Sequence, residues 1–303
     1  MSVAGLLVGL LVGLTGMGGG ALLTPILVLL FRVAPLAAIS SDLLTSLVMK
    51  PVGAAVHLRR RTVHWQLVGW LTVSSVPAAF AGAVVISAIG RRAGVQSNLK
   101  VIIGIALCAS VALMVVRQLL DRRNRKRDIA AGRVADADEP LVVFPVRTMA
   151  IGVIGGFAVG LTSVGAGSVI IALLLMAYPK LRPAQLVGTD IVQAIPLVAA
   201  ATVGHLLFGD VQFAITTSLL LGALPGVYVG ARLSAQGPAA LLRPVITGVL
   251  LASALALLHV STPVLLIAAL AGAVLMALLR PREPRRTRES ESVTATPELD
   301  PVP

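Results

Sequence analysis

The sequence contains a long-range glycine repeat within a very apolar chain. Five glycines near the N-terminus recur with a constant shift of 147 residues, and four residues after them recur with a shift of 148. Two copies of one unit, each with a glycine-rich stretch and one acid, are typical of transporters, which often build their site from interrupted helices at a repeat interface. The first set is Gly5, Gly9, Gly13, Gly18 and Gly20 with Gly152, Gly156, Gly160, Gly165 and Gly167; the second is Asp42, His57, Pro77 and Gly82 with Asp190, His205, Pro225 and Gly230.

The composition is that of a membrane protein. Of the 303 residues, 57% are hydrophobic and only 13% are charged, against about a quarter in soluble domains. We therefore predict an all-α polytopic membrane protein. The predicted apolar segments are 3–31, 37–58, 66–89, 98–119, 148–177, 185–207, 212–234, 241–258 and 263–279.

The net charge of +12 does not indicate nucleic-acid binding. The basic residues cluster in short loops, in 117–133 and in the tail 280–288, which is the positive-inside pattern of cytoplasmic loops. Aromatic residues make up 3% of the chain, so no base-stacking surface is expected. The expected surroundings are the lipid bilayer of the cell (inner or plasma) membrane, and the oligomeric state is not predicted.

The first and fifth apolar segments are too long for one span and are interrupted by glycines, so each is either one broken helix or a re-entrant hairpin. If both enter and leave on one side, about seven full crossings remain, within eight or nine helical membrane segments. Most basic loops then fall inside. Each repeat has three crossings in this arrangement, so the two copies are predicted to be inverted.

The predicted organisation follows from these segments. Two membrane repeats flank a polar cytoplasmic linker, and an extra helix without a counterpart returns the tail to the cytoplasm. The tail is rich in Pro, Arg, Glu, Ser and Thr, so we expect disorder. The boundaries are 1–120 and 148–260 for the repeats, 121–147 for the linker, 261–280 for the extra helix and 281–303 for the tail.

Two kinds of glycine stretch occur in each repeat. Glycines spaced by four, as in Gly5, Gly9 and Gly13, favour close helix packing. The denser stretches that follow break a helix, and a half-helix N-terminus there offers N–H donors that suit an anion. The alternative is a packing bend without a ligand. The candidate substrate-binding residues of the breaks are Thr15, Gly16, Gly18, Gly19 and Gly20 in the first copy, and Thr162, Ser163, Gly165 and Gly167 in the second.

Buried ionisable residues are the next candidates. Asp42 and Asp190 follow Pro35 and Pro183 by seven residues, so both would lie inside the membrane, where a carboxylate indicates function. Each could bind a coupling proton or support the neighbouring helix break. Lys50, whose counterpart is Val198, could pair with an anionic substrate or with an acid.

Three further polar residues could line a cavity or an interface. His57 and His205 lie near predicted helix ends, and such histidines are more often interfacial than catalytic. Gln193 either lines the cavity or makes an ordinary hydrogen bond between helices. No HExxH, GxSxG, Walker or CxxC pattern occurs, and only one cysteine is present, so we expect neither an enzyme, nor a metal site, nor a cofactor.

The paired sequences resemble a known family. GLTGMGGGALLTP with SSDLLTSLVMKPVGAAVH, and GLTSVGAGSVIIA with VGTDIVQAIPLVAAATVGH, are similar to the sulfite exporter TauE/SafE family. So are the helices SVPAAFAGA and ALPGVYVGA. The resemblance covers about residues 3–280 and implies an inner-membrane carrier of small anions such as sulfite, sulfonates or related organic acids.

Residues and resemblance together predict a secondary transporter that exports small anions. The two breaks would meet near the midplane and hold the anion, with Lys50 adding positive charge. Three alternatives stay open: a passive anion channel on the same scaffold, a membrane enzyme or cofactor-assembly subunit, and a structural membrane protein without transport.

Overall fold

The computed structural model describes residues 1–15, 20–90, 95–130, 141–164, 167–179, 181, 183–234 and 242–279. Within these ranges every regular element is an α-helix. In chain order the helices are α1 (Ser2–Thr15), α2 (Gly20–Leu29), α3 (Pro35–Arg59), α4 (Trp65–Gly90), α5 (Gln96–Ala130), α6 (Pro145–Thr162), α7 (Val169–Ala177), α8 (Pro183–Phe208), α9 (Phe213–Ser234), α10 (Leu242–Leu257) and α11 (Thr262–Leu278).

The helices follow the predicted apolar segments. In the described part of the chain, five stretches are long and apolar enough to cross a membrane; they lie in α4, α5, α6, α8 and α9. Four shorter apolar stretches fall in α1, α2, α10 and α11. Although α3 has 25 residues, it is not among the five, because it carries Asp42, Lys50 and several hydroxyl residues that lower its hydropathy.

Helices from the first half of the chain pack against helices from the second half. α1 lies against α9, and α4 lies against α6. A methyl group added at Gly9 would meet the backbone of Ala223, and one added at Gly156 would meet the backbone of Ser75. The pairs are related by the sequence shifts, since Gly9 corresponds to Gly156 and Ser75 to Ala223. Small residues thus let both pairs of backbones approach closely.

The fifth apolar segment is a hairpin. The hydroxyl of Tyr178, just after α7, accepts a hydrogen bond from the Phe144 N–H at 3.1 Å, just before α6. It also lies 2.6 Å from Thr148 Oγ1. The end of α7 therefore lies beside the start of α6, so the chain enters and leaves at the same end of the bundle.

The helix α5 extends beyond its predicted membrane segment into the predicted polar linker. α5 continues to Ala130, ten residues into the segment assigned to the linker, because its Arg, Lys and Ala residues favour a helix outside the membrane as well as within it. Before this end, the Gln118 side chain donates to Met276 O at 3.4 Å and Arg122 donates to Leu278 O. α11 therefore ends beside Arg122, and α5 continues beyond it to Ala130. The predicted disordered tail, 281–303, lies outside the described residues.

Candidate functional site

The described residues at the two ends of the break between α6 and α7 have well-defined contacts. Ser163 ends α6 with φ 58°, and its N–H donates to Val159 O at 2.8 Å. The Thr162 hydroxyl donates to Ala158 O at 2.8 Å, and it accepts from the Val164 N–H at 3.2 Å. Gly167 has φ 95°, a left-handed conformation that L side chains rarely adopt. The glycine stretch therefore reverses the chain inside the protein.

Asp190 on α8 lies against this break. It is 2% exposed and accepts a hydrogen bond from the Gly167 N–H, near the positive end of the α7 dipole. Its Oδ1 has no hydrogen-bond partner in the described part of the chain. One oxygen thus supports the broken helix, as a structural role requires, and the other remains available to a proton or ligand.

Asp42 on α3 is held differently. Thr24 Oγ1 on α2 donates to Asp42 Oδ2 at 2.6 Å, and Ser46 Oγ approaches Asp42 Oδ1 at 3.4 Å. With the shift of 147, the counterpart of Thr24 is Ile171, which has no hydroxyl. The two acids are therefore unequal: side-chain hydroxyls hold Asp42, whereas a backbone N–H holds Asp190.

The described edges of the two breaks lie side by side. A methyl group added at Gly20, the first residue of α2, would meet the backbone oxygen of Ser163. The Ser163 hydroxyl lies close to the Asp42 carboxylate, yet it completes no hydrogen bond among the described residues. The described edges of the two glycine stretches therefore come together, with Asp42 beside them. Outside the described residues lie Gly16, Gly18, Gly19 and Gly165, together with the side chain of Thr15.

Gln193 joins this region to α4. Its Oε1 accepts a hydrogen bond from Ser75 Oγ at 3.2 Å, so Gln193 makes a hydrogen bond between α8 and α4. Its Nε2 has no partner within the described ranges. The hydroxyls of Ser163 and Ser168 and Oδ1 of Asp190 share this property. Three of these buried polar groups, on Ser163, Ser168 and Asp190, lie at the break, and Gln193 lies one helical turn after Asp190 on α8; buried groups with unused hydrogen-bonding capacity are uncommon in folded proteins.

Two basic side chains contribute positive charge. Lys50 is half-buried, and its charge interacts with both Asp42 and Asp190. Arg117 on α5 interacts with Asp190. The sequence analysis assigned Arg117 only to the basic cytoplasmic segment, because nothing in the local pattern of α5 reveals that this residue approaches α8.

The two histidines occupy different environments. His57 is half-buried, and its Nδ1 lies 3.0 Å from Thr62 Oγ1. His205 is fully buried within the protein. Although α8 ends only three residues later, neighbouring helices cover this end.

The fold and the site define a class of protein. Several helices can span a membrane, and buried charged and unpartnered polar groups surround a break between two helices. These features are typical of a multi-pass membrane transporter. The chain belongs to the sulfite exporter TauE/SafE family, whose model matches residues 1–257; α11 lies beyond the matched residues.

Curated relatives agree with this class. Probable membrane transporter protein YjnA of Bacillus subtilis is 36% identical over 255 residues, which are 84% of this chain and 97% of that protein. YdhB of the same organism, with the same description, is 24% identical over 252 residues, 81% of this chain and 96% of that protein. Probable membrane transporter protein MJ0441 of Methanocaldococcus jannaschii is 28% identical over 240 residues, 75% of this chain and 81% of that protein. No solved structure matches the chain.

Proposed function

We propose that this protein is a secondary transporter of small anions such as sulfite, sulfonates or related organic acids, and that the anion binds where the two helix breaks meet. The observation that carries the proposal is the set of unpartnered polar groups. Ser163 Oγ and Gln193 Nε2 can both donate hydrogen bonds, and both are buried without a partner in the described part of the chain. Buried donors without partners are costly, so a ligand that accepts hydrogen bonds would stabilise them.

The charges around the proposed site make anion binding depend on the protonation of an acid. Lys50 and Arg117 bring two positive charges toward the site, while Asp42 and Asp190 bring two negative charges when both are ionised. An ionised pair of acids opposes the attraction for an anion. A proton on Asp190, whose Oδ1 has no partner in the described part of the chain, removes one negative charge and so favours anion binding. Proton and anion therefore bind together and cross the membrane together.

The organisation of the chain fits this cycle. In the proposal the two halves are inverted repeats, and the pairs α1–α9 and α4–α6 between the halves support this view. The α6–α7 hairpin is a re-entrant segment, so the linker, the end of α7 and the tail lie in the cytoplasm. Because the proton leaves with the anion, export across the inner membrane requires an outward gradient of the anion that exceeds the opposing inward gradient of protons.

Sulfonate uptake into liposomes tests the proposal. A sulfonate remains charged at working pH and therefore does not leak across as a neutral acid. An acidic exterior is expected to drive the sulfonate above its equilibrium distribution in wild-type vesicles. Because asparagine cannot exchange a proton, Asp190→Asn is expected to abolish this accumulation while leaving downhill exchange of labelled sulfonate.

The matched control is Asp210→Asn, which removes an exposed acid outside the site and is expected to behave as wild type. Flux that never exceeds the equilibrium distribution would indicate a passive channel. Folded wild-type protein that moves none of sulfite, sulfonates and carboxylates would reject anion transport.

A further inference from the structure

His205 makes a buried connection between three helices. On α8, its Nε2 lies 3.0 Å from Gly160 O on α6, and its Nδ1 lies 2.8 Å from Ser40 Oγ on α3. Ser40 is two residues before Asp42, and Gly160 is three residues before Ser163. We refer to Ser40, His205 and Gly160 as the His205 link. It joins the helix that carries Asp42 to the end of the helix that breaks at Ser163.

The hydrogen-bond partner on α6 determines which ring nitrogen of His205 carries the hydrogen. A carbonyl oxygen only accepts hydrogen bonds, so Nε2 of His205 must carry the hydrogen that is donated to Gly160 O. In a continued helix the Gly160 carbonyl would accept from the Val164 N–H, but the helix stops at Thr162 and that N–H donates to Thr162 Oγ1 instead. His205 therefore supplies from α8 a donor that the broken helix cannot supply itself.

Gly209 leaves room for the contact between Ser40 and His205. A methyl group added at Gly209 would lie 2.9 Å from Ser40 Oγ and 3.0 Å from His205 Nδ1, both tighter than ordinary contacts. The Gly209 N–H donates to His205 O at 2.8 Å. The glycine at the end of α8 thus leaves the space that the two side chains occupy.

The first half of the chain does not form the same connection. His57 occupies the position related to His205 by the shift of 148, but Gly188 replaces Ser40 there and has no hydroxyl. His57 instead pairs with Thr62 Oγ1. Among the described residues, no hydrogen bond joins His57 to α1. His57 is therefore an internal reference for a histidine at the same relative position without the link.

We propose that His205 is a positioning residue that holds the end of α6 so that Ser163 and the α6–α7 break face the anion and Asp42. The proposal rests on the anion site proposed above. Loss of the link should loosen the break and weaken anion binding, whereas a loss of folded protein alone would lower the maximal rate without changing KM.

Two substitutions separate the roles of the two ring nitrogens. The glutamine amide in His205→Gln can place a donor near the position of Nε2, while the asparagine amide in His205→Asn reaches only the position of Nδ1. In His205→Asn we expect backbone amides in residues 158–169 to exchange with deuterium about tenfold faster, measured by mass spectrometry in lipid nanodiscs. We also expect a KM for sulfonate about tenfold higher. His205→Gln should restore both values most of the way, and the control His57→Asn should change neither.

The exchange measurement does not depend on transport, so it separates the two proposals. If the wild type transports no anion but His205→Asn still loosens 158–169, the anion site is wrong and the link is right. Unchanged exchange in His205→Asn, or equal loosening in His57→Asn, would overturn the proposal. A drop in maximal rate with unchanged KM would also overturn it.

Discussion

The close contact between α6 and α4 predicts a specific cost for one methyl group. In Gly156→Ala the new Cβ would lie 2.8 Å from Ser75 Cα and 3.0 Å from Ser75 C. Ordinary contact begins at 3.4 Å and the Ser75 carbonyl oxygen lies closer still, so the helices must separate by at least about 0.6 Å. The obstructing atoms belong to the backbone of α4 and cannot rotate away as a side chain could.

Two opposing contributions determine how much Gly156→Ala changes the free energy of unfolding. Overpacking of a close contact costs about 1–3 kcal/mol, and replacing a helical glycine by alanine returns about 0.5–1 kcal/mol. The net expected destabilisation is about 1–2 kcal/mol, or roughly 2–8 °C at about 2–4 °C per kcal/mol. Gly9→Ala should cost the same, because its Cβ would meet Ala223 Cα at 2.8 Å and Ala223 C at 3.0 Å.

Thermal unfolding followed by intrinsic fluorescence measures this cost. Both tryptophans of the chain, Trp65 and Trp70, lie on α4, so their emission reports on the helix that must move. The control is Gly69→Ala on the same helix, where an added Cβ would have no neighbour within 4 Å. This control should be as stable as the wild type or slightly more stable. If Gly156→Ala and Gly69→Ala unfold at the same temperature, the close helix approach is refuted.

Three further substitutions test the break and its supports. Tyr178→Phe removes the hydroxyl that joins the ends of the α6–α7 hairpin and should lower the free energy of unfolding by about 1–3 kcal/mol. Phe31 occupies the related position in the first half, so a phenylalanine ring is accepted there. An unchanged unfolding midpoint would argue against a stabilising role of the Tyr178 hydroxyl. Gly167→Ala puts a Cβ on a residue with φ 95°, so it should cost about 1–2 kcal/mol and reduce anion uptake; full uptake with wild-type stability would contradict the backbone described for the break. Thr24→Val removes the donor to Asp42 and should lower stability by about 1.5–3 kcal/mol, which Thr24→Ser should restore; if serine and valine behave alike, the hydroxyl is not responsible.

The spans and breaks could be predicted from the sequence because local chemistry sets both. Long apolar runs require a membrane, and dense glycines cannot continue a helix. The predicted close packing at Gly5 and Gly9, and at their counterparts Gly152 and Gly156, agrees with the backbone contacts there. The helical extension of α5 to Ala130 was missed because polarity excludes a segment from the membrane but not from a helix.

The contacts of the site could not be predicted in the same way. The charge of Arg117 acts on Asp190, and His205 reaches Gly160, only because of the tertiary packing of the helices that carry them. Tyr178 was also missed, since a single tyrosine after an apolar run usually indicates a membrane interface. The inequality of Asp42 and Asp190 depends on Thr24 and Gly167, whose contacts are tertiary.

The most direct test of proton-coupled anion transport uses the anion itself as the driving force. Liposomes that contain the wild-type protein are loaded with a pH indicator, and sulfonate is added outside. The internal and external pH are equal at the start, and the membrane potential is clamped at zero. If proton and anion enter together, the interior should acidify in step with sulfonate uptake, and Asp190→Asn should abolish the acidification. Sulfonate uptake without any change in internal pH would contradict the coupling, and the absence of uptake into vesicles that contain folded protein would contradict the anion site.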